Sequence, residues 1–152
     1  MTQHGIKEHS HGNVPIQTRS ERPRSASVSD FPAVSKLQEI WRYIPEDKLR
    51  GLDGEVMGEV SEAEIELRLA SGVTSRMVDS TDAIVGTAGL PEDRVSAAAW
   101  TNASKTLVVE VPKDLEVGEP SFLKLSLDSG DAKALHLVIS VGNFASATIV
   151  LD

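Results

Sequence analysis

The side chains in this sequence that could do chemistry begin with His4, His9 and His11, because imidazole nitrogens are common metal ligands. They lie in a segment with no order to fix a ligand geometry and no carboxylate pattern beside them, so a metal site is not expected there. His136 falls on the polar side of an alternating stretch, without the Ser, Asp or second His that catalysis would need next to it, and reads as a surface or interface histidine. Glu62, Glu64 and Glu66 occur at alternate positions. On a strand they would share one face, as paired acid-base carboxylates do, but with Arg68 extending the same face they read as a solvated surface. Asp128-Ser129-Gly130-Asp131 resembles part of a calcium loop yet lacks the spaced oxygen ligands and terminal glutamate of an EF-hand, so a turn is expected. Asn102-Ala103-Ser104 matches a glycosylation triplet, which has no use without secretion.

No cysteine is present, which removes disulfides, thiolate nucleophiles and cysteine-ligated zinc or clusters. Phosphate-cradling glycine loops and the Gly-x-Ser-x-Gly elbow are also missing from the sequence. The residues therefore define no catalytic, cofactor-binding or metal-binding site, and the expected protein is not an enzyme. The net charge of −8 is unevenly spread: residues 1–30 sum to +1 and residues 31–152 to −9. An acidic body with 4% aromatic residues repels phosphate backbones and offers little base stacking, so nucleic acid is not an expected partner. There is no run of eighteen apolar residues to span a membrane, and residues 1–20 hold no apolar stretch that could form a signal-peptide core; the expected location is the cytoplasm.

The elements that must carry these side chains follow from periodicity. Residues 1–30 are rich in Ser, Arg, Pro, Gly and His without an apolar period, and are expected to form a disordered tail. Val34, Leu37, Trp41 and their neighbours fall at helical spacing, with Ser35 as N-cap and Pro45 ending the run; Pro45 then opens a second helical turn. Ser61 to Ala70 carries both a capping-box pattern and strict alternation, and the alternation of Ala63, Ile65, Leu67 and Leu69 favours a strand. After Ser71-Gly72, residues 73–78 read as the return arm of a hairpin. Leu90-Pro91-Glu92-Asp93 predicts a helix start with proline at the first position, a small-residue face of Val95, Ala98 and Ala99, and an end near Asn102.

Beyond it the pattern is β. Leu107, Val109 and Val111; Leu123, Leu125 and Leu127; Leu135, Leu137, Ile139 and Val141; and Ala145, Ala147, Ile149 and Leu151 all occupy odd positions, so each strand has one inward face. Gly142-Asn143 suits either a two-residue hairpin turn or a sharp solenoid corner. The chain ends on a strand with Leu151 expected inward, which predicts part of a larger β-structure.

One segment, Glu39-Ile40-Trp41-Arg42-Tyr43-Ile44-Pro45 followed by Leu49-Arg50-Gly51-Leu52, resembles the Glu-Glu-Trp-Arg-Tyr/Phe-Thr-Pro signature near the amino end of SufD, in the SufB/SufD family of iron-sulfur cluster assembly proteins. Leu90 to Val95, Val111-Pro112-Lys113, Glu119-Pro120 and His136 to Val141 follow in the order expected of that family, so the resemblance covers residues 31–152. Ile40 and Ile44 stand where the signature has glutamate and threonine. Trp41 is expected to anchor the short helix on the β-part, and Arg42 to cap or pair nearby.

The resemblance implies a mainly β fold with an amino-terminal helical and mixed region leading into a right-handed parallel β-helix, truncated here. The organisation it implies is a tail at 1–30, an α/β region at 31–104 and the first coils of the β-helix at 105–152, with Gly142-Asn143 as a corner. It implies a non-catalytic scaffold subunit, as an amino-terminal fragment, working with SufB-like and SufC-like ATPase subunits. In such a complex the iron-sulfur cluster and ATP are handled by the full assembly and its partner subunits, and this chain binds no cofactor itself. The alternative is a small β-rich protein-binding module that acts by strand addition.

Overall fold

Alternation from Leu107 onward gives each strand one apolar face, and two three-stranded sheets satisfy those faces by closing on each other. The computed structural model describes residues 23–56, 60–61, 64–126 and 132–152. The chain runs through three 3-10 turns (Val28–Asp30, Glu39–Trp41 and Glu46–Lys48), then strands β1 (Val60–Ser61), β2 (Glu64–Arg68) and β3 (Thr74–Asp79). Helix α1 (Arg94–Asn102) follows, and then β4 (Lys105–Val111), β5 (Ser121–Ser126), β6 (Ala132–Lys133), β7 (His136–Val141) and β8 (Ile149–Leu151). The fold is mainly β with one α-helix among the described residues. His4, His9, His11, Glu62, Leu127 and the turn from Asp128 to Asp131 lie outside the described residues.

One sheet has the order β2-β5-β8 and the other β3-β4-β7; β1 and β6 form a separate parallel pair. In each large sheet the first two strands are antiparallel and the last two parallel. The parallel ladders join Thr106 to His136 and Ser121 to Ile149, and Glu116 bridges Ser146 between them. Residues 105–123 and 136–151 are thus two successive passes of one path, laid side by side. The core between the sheets centres on Leu107, Val109, Val111 and Leu123, with Ile65, Leu137 and Ile149 packed against it.

Where the two passes turn, Asp114 and Phe144 take φ of 61° and 59°, so the left-handed residue recurs at the same place in each corner. The corners are hydrogen-bonded: the Asp114 amide donates to the Asn143 carbonyl at 3.0 Å and the Gly142 amide to the Val111 carbonyl at 2.9 Å. Gly142-Asn143 is therefore a corner, since β7 and β8 belong to different sheets.

Several expectations are corrected. β2 and β3 do not form a hairpin: β2 pairs with β5 and β3 with β4. Alternation states which face is buried but not which edge is shared. Gly72, at φ +85° in the turn closed by the Val73 amide on the Ala70 carbonyl, sends the chain across the core rather than back along the same sheet. The helix expected over 34–42 is a single 3-10 turn, Glu39–Trp41, and before it the Ser35 hydroxyl accepts from the Leu37 amide and forms a local turn instead of capping a helix. Pro45 does precede the next turn, Glu46–Lys48.

α1 starts later than proline at the first position implied. Asp93 is its N-cap, accepting from the Ser96 amide at 2.9 Å, and the buried helix residues are Ala97 and Ala98. The helix does end at Asn102. Residues 23–30, part of the expected tail, pack on α1, where Val28 and Phe31 are buried with Ala97 and Ala98. The Thr101 hydroxyl joins the same contact by donating to the Ala26 carbonyl at 3.2 Å.

Strand β4 is buried on both faces, against the one-faced expectation. Val78, Val108 and Val138 form a second cluster under Ile84 and Val85. Conversely, Ile139, Val141 and Leu151, expected inward, are 41%, 53% and 56% exposed, because no strand lies beyond β7 and β8 among the described residues. Among the described residues no helix is long and apolar enough to cross a membrane.

Candidate functional site

The described residues with chemical potential do not converge. Glu64 and Glu66 are exposed on β2, where Lys124 of the neighbouring strand approaches Glu66 at 3.5 Å. Arg68 does not compensate them; its guanidinium lies 4.3 Å over the Phe122 ring, its cross-strand partner. Asn102 serves the fold by donating to the Ala98 and Glu55 carbonyls at 2.8 and 3.2 Å. Among the described residues no three His, Cys, Asp or Glu side chains are grouped so as to hold a metal ion.

Among the described residues, two of the hollows and one open sheet edge gather the side chains singled out by the sequence. The first hollow, of about 470 Å³, lies between α1 and the start of β7. Its walls include Trp100, Ser96, His136, Leu90 and the Arg24–Glu92 ion pair, which closes at 2.8 Å. His136 Nδ1 is 3.1 Å from the Thr106 hydroxyl, and its ring centroid is 4.1 Å from that of Trp100. Desolvation holds the His136 imidazole below its usual proton affinity. Sequence reasoning read His136 as a surface or interface histidine and could not name its partners, since Thr106 and Trp100 meet it only through strand register and helix docking.

The second hollow, of about 220 Å³, is lined by Phe31, Pro32, Ile40 and Trp41 beside Arg94. Trp41 is buried and lines this hollow with the residues that open α1. Arg42 is exposed and forms no ion pair among the described residues. Arg94 does the joining here. Its Nε donates to the Asp53 carbonyl at 2.7 Å, and one guanidinium nitrogen to the Phe31 and Val28 carbonyls at 2.8 and 3.1 Å.

The third feature is the end of the stack. Among the described residues β7 and β8 are edge strands, with Ile139, Val141 and Leu151 exposed along them and Phe144 exposed in the corner between.

Comparison with known proteins decides the family. An iron-sulfur cluster assembly SufBD family protein of Mycobacterium leprae is 33% identical over 132 residues, covering 84% of this chain and 33% of that protein. SufBD family proteins so named from Mycobacterium bovis and Mycobacterium tuberculosis are each 30% identical over 129 residues, covering 84% of this chain and 32% of theirs. This chain belongs to the SufBD family. It spans about a third of the length of the curated relatives it matches. No protein-family model and no solved structure matches it.

The segments that carried the SufB/SufD resemblance have structural roles here. Glu39 to Trp41 forms the 3-10 turn at the second hollow, Asp93 caps α1, Val111-Pro112-Lys113 enters one corner, and His136 to Val141 is β7. Arg94, inside the Leu90 to Val95 segment, ties two separate backbone stretches, 28–31 and the one at Asp53, to the helix start. Arg94→Lys is expected to destabilise the protein by about 2 kcal/mol, because a single ammonium cannot reproduce the planar fork that reaches all three carbonyls. Urea unfolding would check this, and an unchanged midpoint would refute the tying role.

Proposed function

We propose that this SufBD family chain is a non-catalytic scaffold subunit of an iron-sulfur cluster assembly system, of the SufD type, acting in the cytoplasm. The observation that carries the reading is the pair of parallel ladders, β4 with β7 and β5 with β8, in which the chain repeats its path about thirty residues later. A repeating path of that kind is the start of a right-handed parallel β-helix in this reading, an architecture that builds long surfaces for partner subunits. The names of the mycobacterial relatives supply the biological setting. SufB-like and SufC-like ATPase subunits are the proposed partners, with the cluster and ATP handled on the full assembly.

The test is genetic and enzymatic. Deleting the gene in its own host is expected to lower the activity of cluster-dependent enzymes such as aconitase severalfold, with recovery when the intact gene is returned. Unchanged aconitase activity under iron limitation would overturn the scaffold role. The stacked path has its own check, because the chain has no cysteine of its own. Cysteines placed at Glu110 and Ser140, partners in the parallel ladder, should oxidise to an intrachain disulfide.

A second reading is favoured by the exposed margin of β7 and β8: a binding module that takes up a partner strand. It predicts normal aconitase activity in the deletion strain and saturable binding of an extended peptide at that margin.

A further inference from the structure

His136 stands where three parts of the molecule meet. Its strand, β7, pairs with β4; its ring lies against Trp100 of α1; and its Nδ1 faces the hydroxyl of Thr106, which is 1% exposed. A hydroxyl that far from water must find its hydrogen-bond partner inside the protein, and among the described residues that partner is His136. We propose that His136 is a proton-sensitive fastener between α1 and the β3-β4-β7 sheet, closed when the imidazole is neutral and loosened when it takes up a proton.

The atoms supply the mechanism. In the neutral ring with its hydrogen on Nε2, Nδ1 accepts from the Thr106 hydroxyl, and Nε2 is left toward the hollow. Protonation puts a hydrogen on Nδ1. The Thr106 hydroxyl must then turn to accept, and its own hydrogen is left without an acceptor in a site closed to water.

Among the described residues lining the hollow, the one carboxylate already has a cationic partner. Across the hollow, the segment before α1 brings Glu92, but Glu92 is already paired with Arg24 of the amino-terminal segment. α1 itself contributes the uncharged Ser96 and Trp100. On the sheet side, β4 brings Lys105 next to Thr106, and β3 brings Asp79 as the register partner of Lys105 and Val78 as that of Thr106. The π-face of Trp100 attracts an imidazolium, yet the burial that also covers the ring acts in the opposite sense.

The sign of the pH effect follows. A histidine whose proton affinity is lower in the folded state binds fewer protons there than in the unfolded chain. The docked state is then fully favoured above the unfolded value of about 6.5 and loses ground as pH falls below it.

The test is amide hydrogen exchange of the full chain at pH 7.5 and 5.5, corrected for the intrinsic rate, read over α1 and the start of β7. The corrected opening of the wild-type helix should rise about threefold or more on acidification. His136→Gln should lose that response, although it keeps His4, His9 and His11. Thr106→Val keeps the imidazole and removes only the hydroxyl, so its response should be smaller than wild type. A wild-type helix indifferent to pH, an equal response in His136→Gln, or a full response in Thr106→Val would each overturn the proposal.

Discussion

Gly142→Ala is expected to cost about 3 kcal/mol, enough to remove a large part of the stability of an ordinary domain. A Cβ on Gly142 would stand 2.4 Å from the Lys113 amide nitrogen, 2.7 Å from its Cα and 2.9 Å from the Pro112 carbonyl carbon. These are backbone atoms of the preceding corner, which cannot swing aside as a side-chain end would. The strain would propagate, because the same corners share the Gly142 amide to Val111 carbonyl and Asp114 amide to Asn143 carbonyl bonds. Moving the two turns apart by even a fraction of an ångström lengthens both.

Gly118→Ala is the control, since nothing lies within 4 Å of its added Cβ and its φ is not in the left-handed region. Its expected effect is within about 0.5 kcal/mol of wild type. Denaturant unfolding of the two variants measures the contrast. Equal midpoints would show that the two corners are not stacked in contact.

Leu123→Ala is the second large effect, with an expected loss of about 3 kcal/mol. Leu123 is 0% exposed at the centre of the core, among Leu107, Val109, Val111 and Val73. Truncation removes its apolar contacts and leaves a cavity that two facing sheets, held by their ladders, cannot close. The parallel ladder supplies an internal comparison, because Leu151 is the register partner of Leu123 one pass later and is 56% exposed. Leu151→Ala should cost less than about 1 kcal/mol. Thermal and urea unfolding of both variants would decide, and a similar loss at the two positions would contradict the assigned centre of the core.

Much of the β-part was legible in the residues. Odd-numbered apolar positions such as Leu107, Val109, Val111, Leu123, Leu137 and Ile149 do converge on one core, while Ile139 and Val141 stay exposed, because a strand places alternate side chains on one face whatever its neighbours are. The helix was found from its acidic, proline-containing start, though Asp93 caps it where Pro91 had been placed as the first turn. The same local logic failed for β2 and β3. A period of two describes each strand equally well in a hairpin or in facing sheets, and only β4 and β5 as partners settle the choice.

The helical spacing around Trp41 likewise marked a buried side, but the segment is short. It closes through bonds between residues three apart, such as the Trp41 amide on the Gln38 carbonyl at 3.1 Å, beside the second hollow, and it settles as a 3-10 turn. The hollow at His136 had no linear signal, since Arg24, Trp100, Thr106 and His136 are brought together from distant parts of the chain.

The sequence by itself determined the strand faces, the corner at Gly142-Asn143 as one of two readings, the absence of cysteine chemistry and the resemblance to the SufB/SufD family. Those properties depend on side-chain type and local period, which are present before folding. Only the tertiary structure decided which strands share an edge, that β4 is covered on both faces, that Arg94 ties three segments, and that Leu123 is enclosed while Leu151 is exposed. The physical reason is that burial and pairing belong to positions in space: two leucines with the same alternation differ by whether another strand lies beyond them.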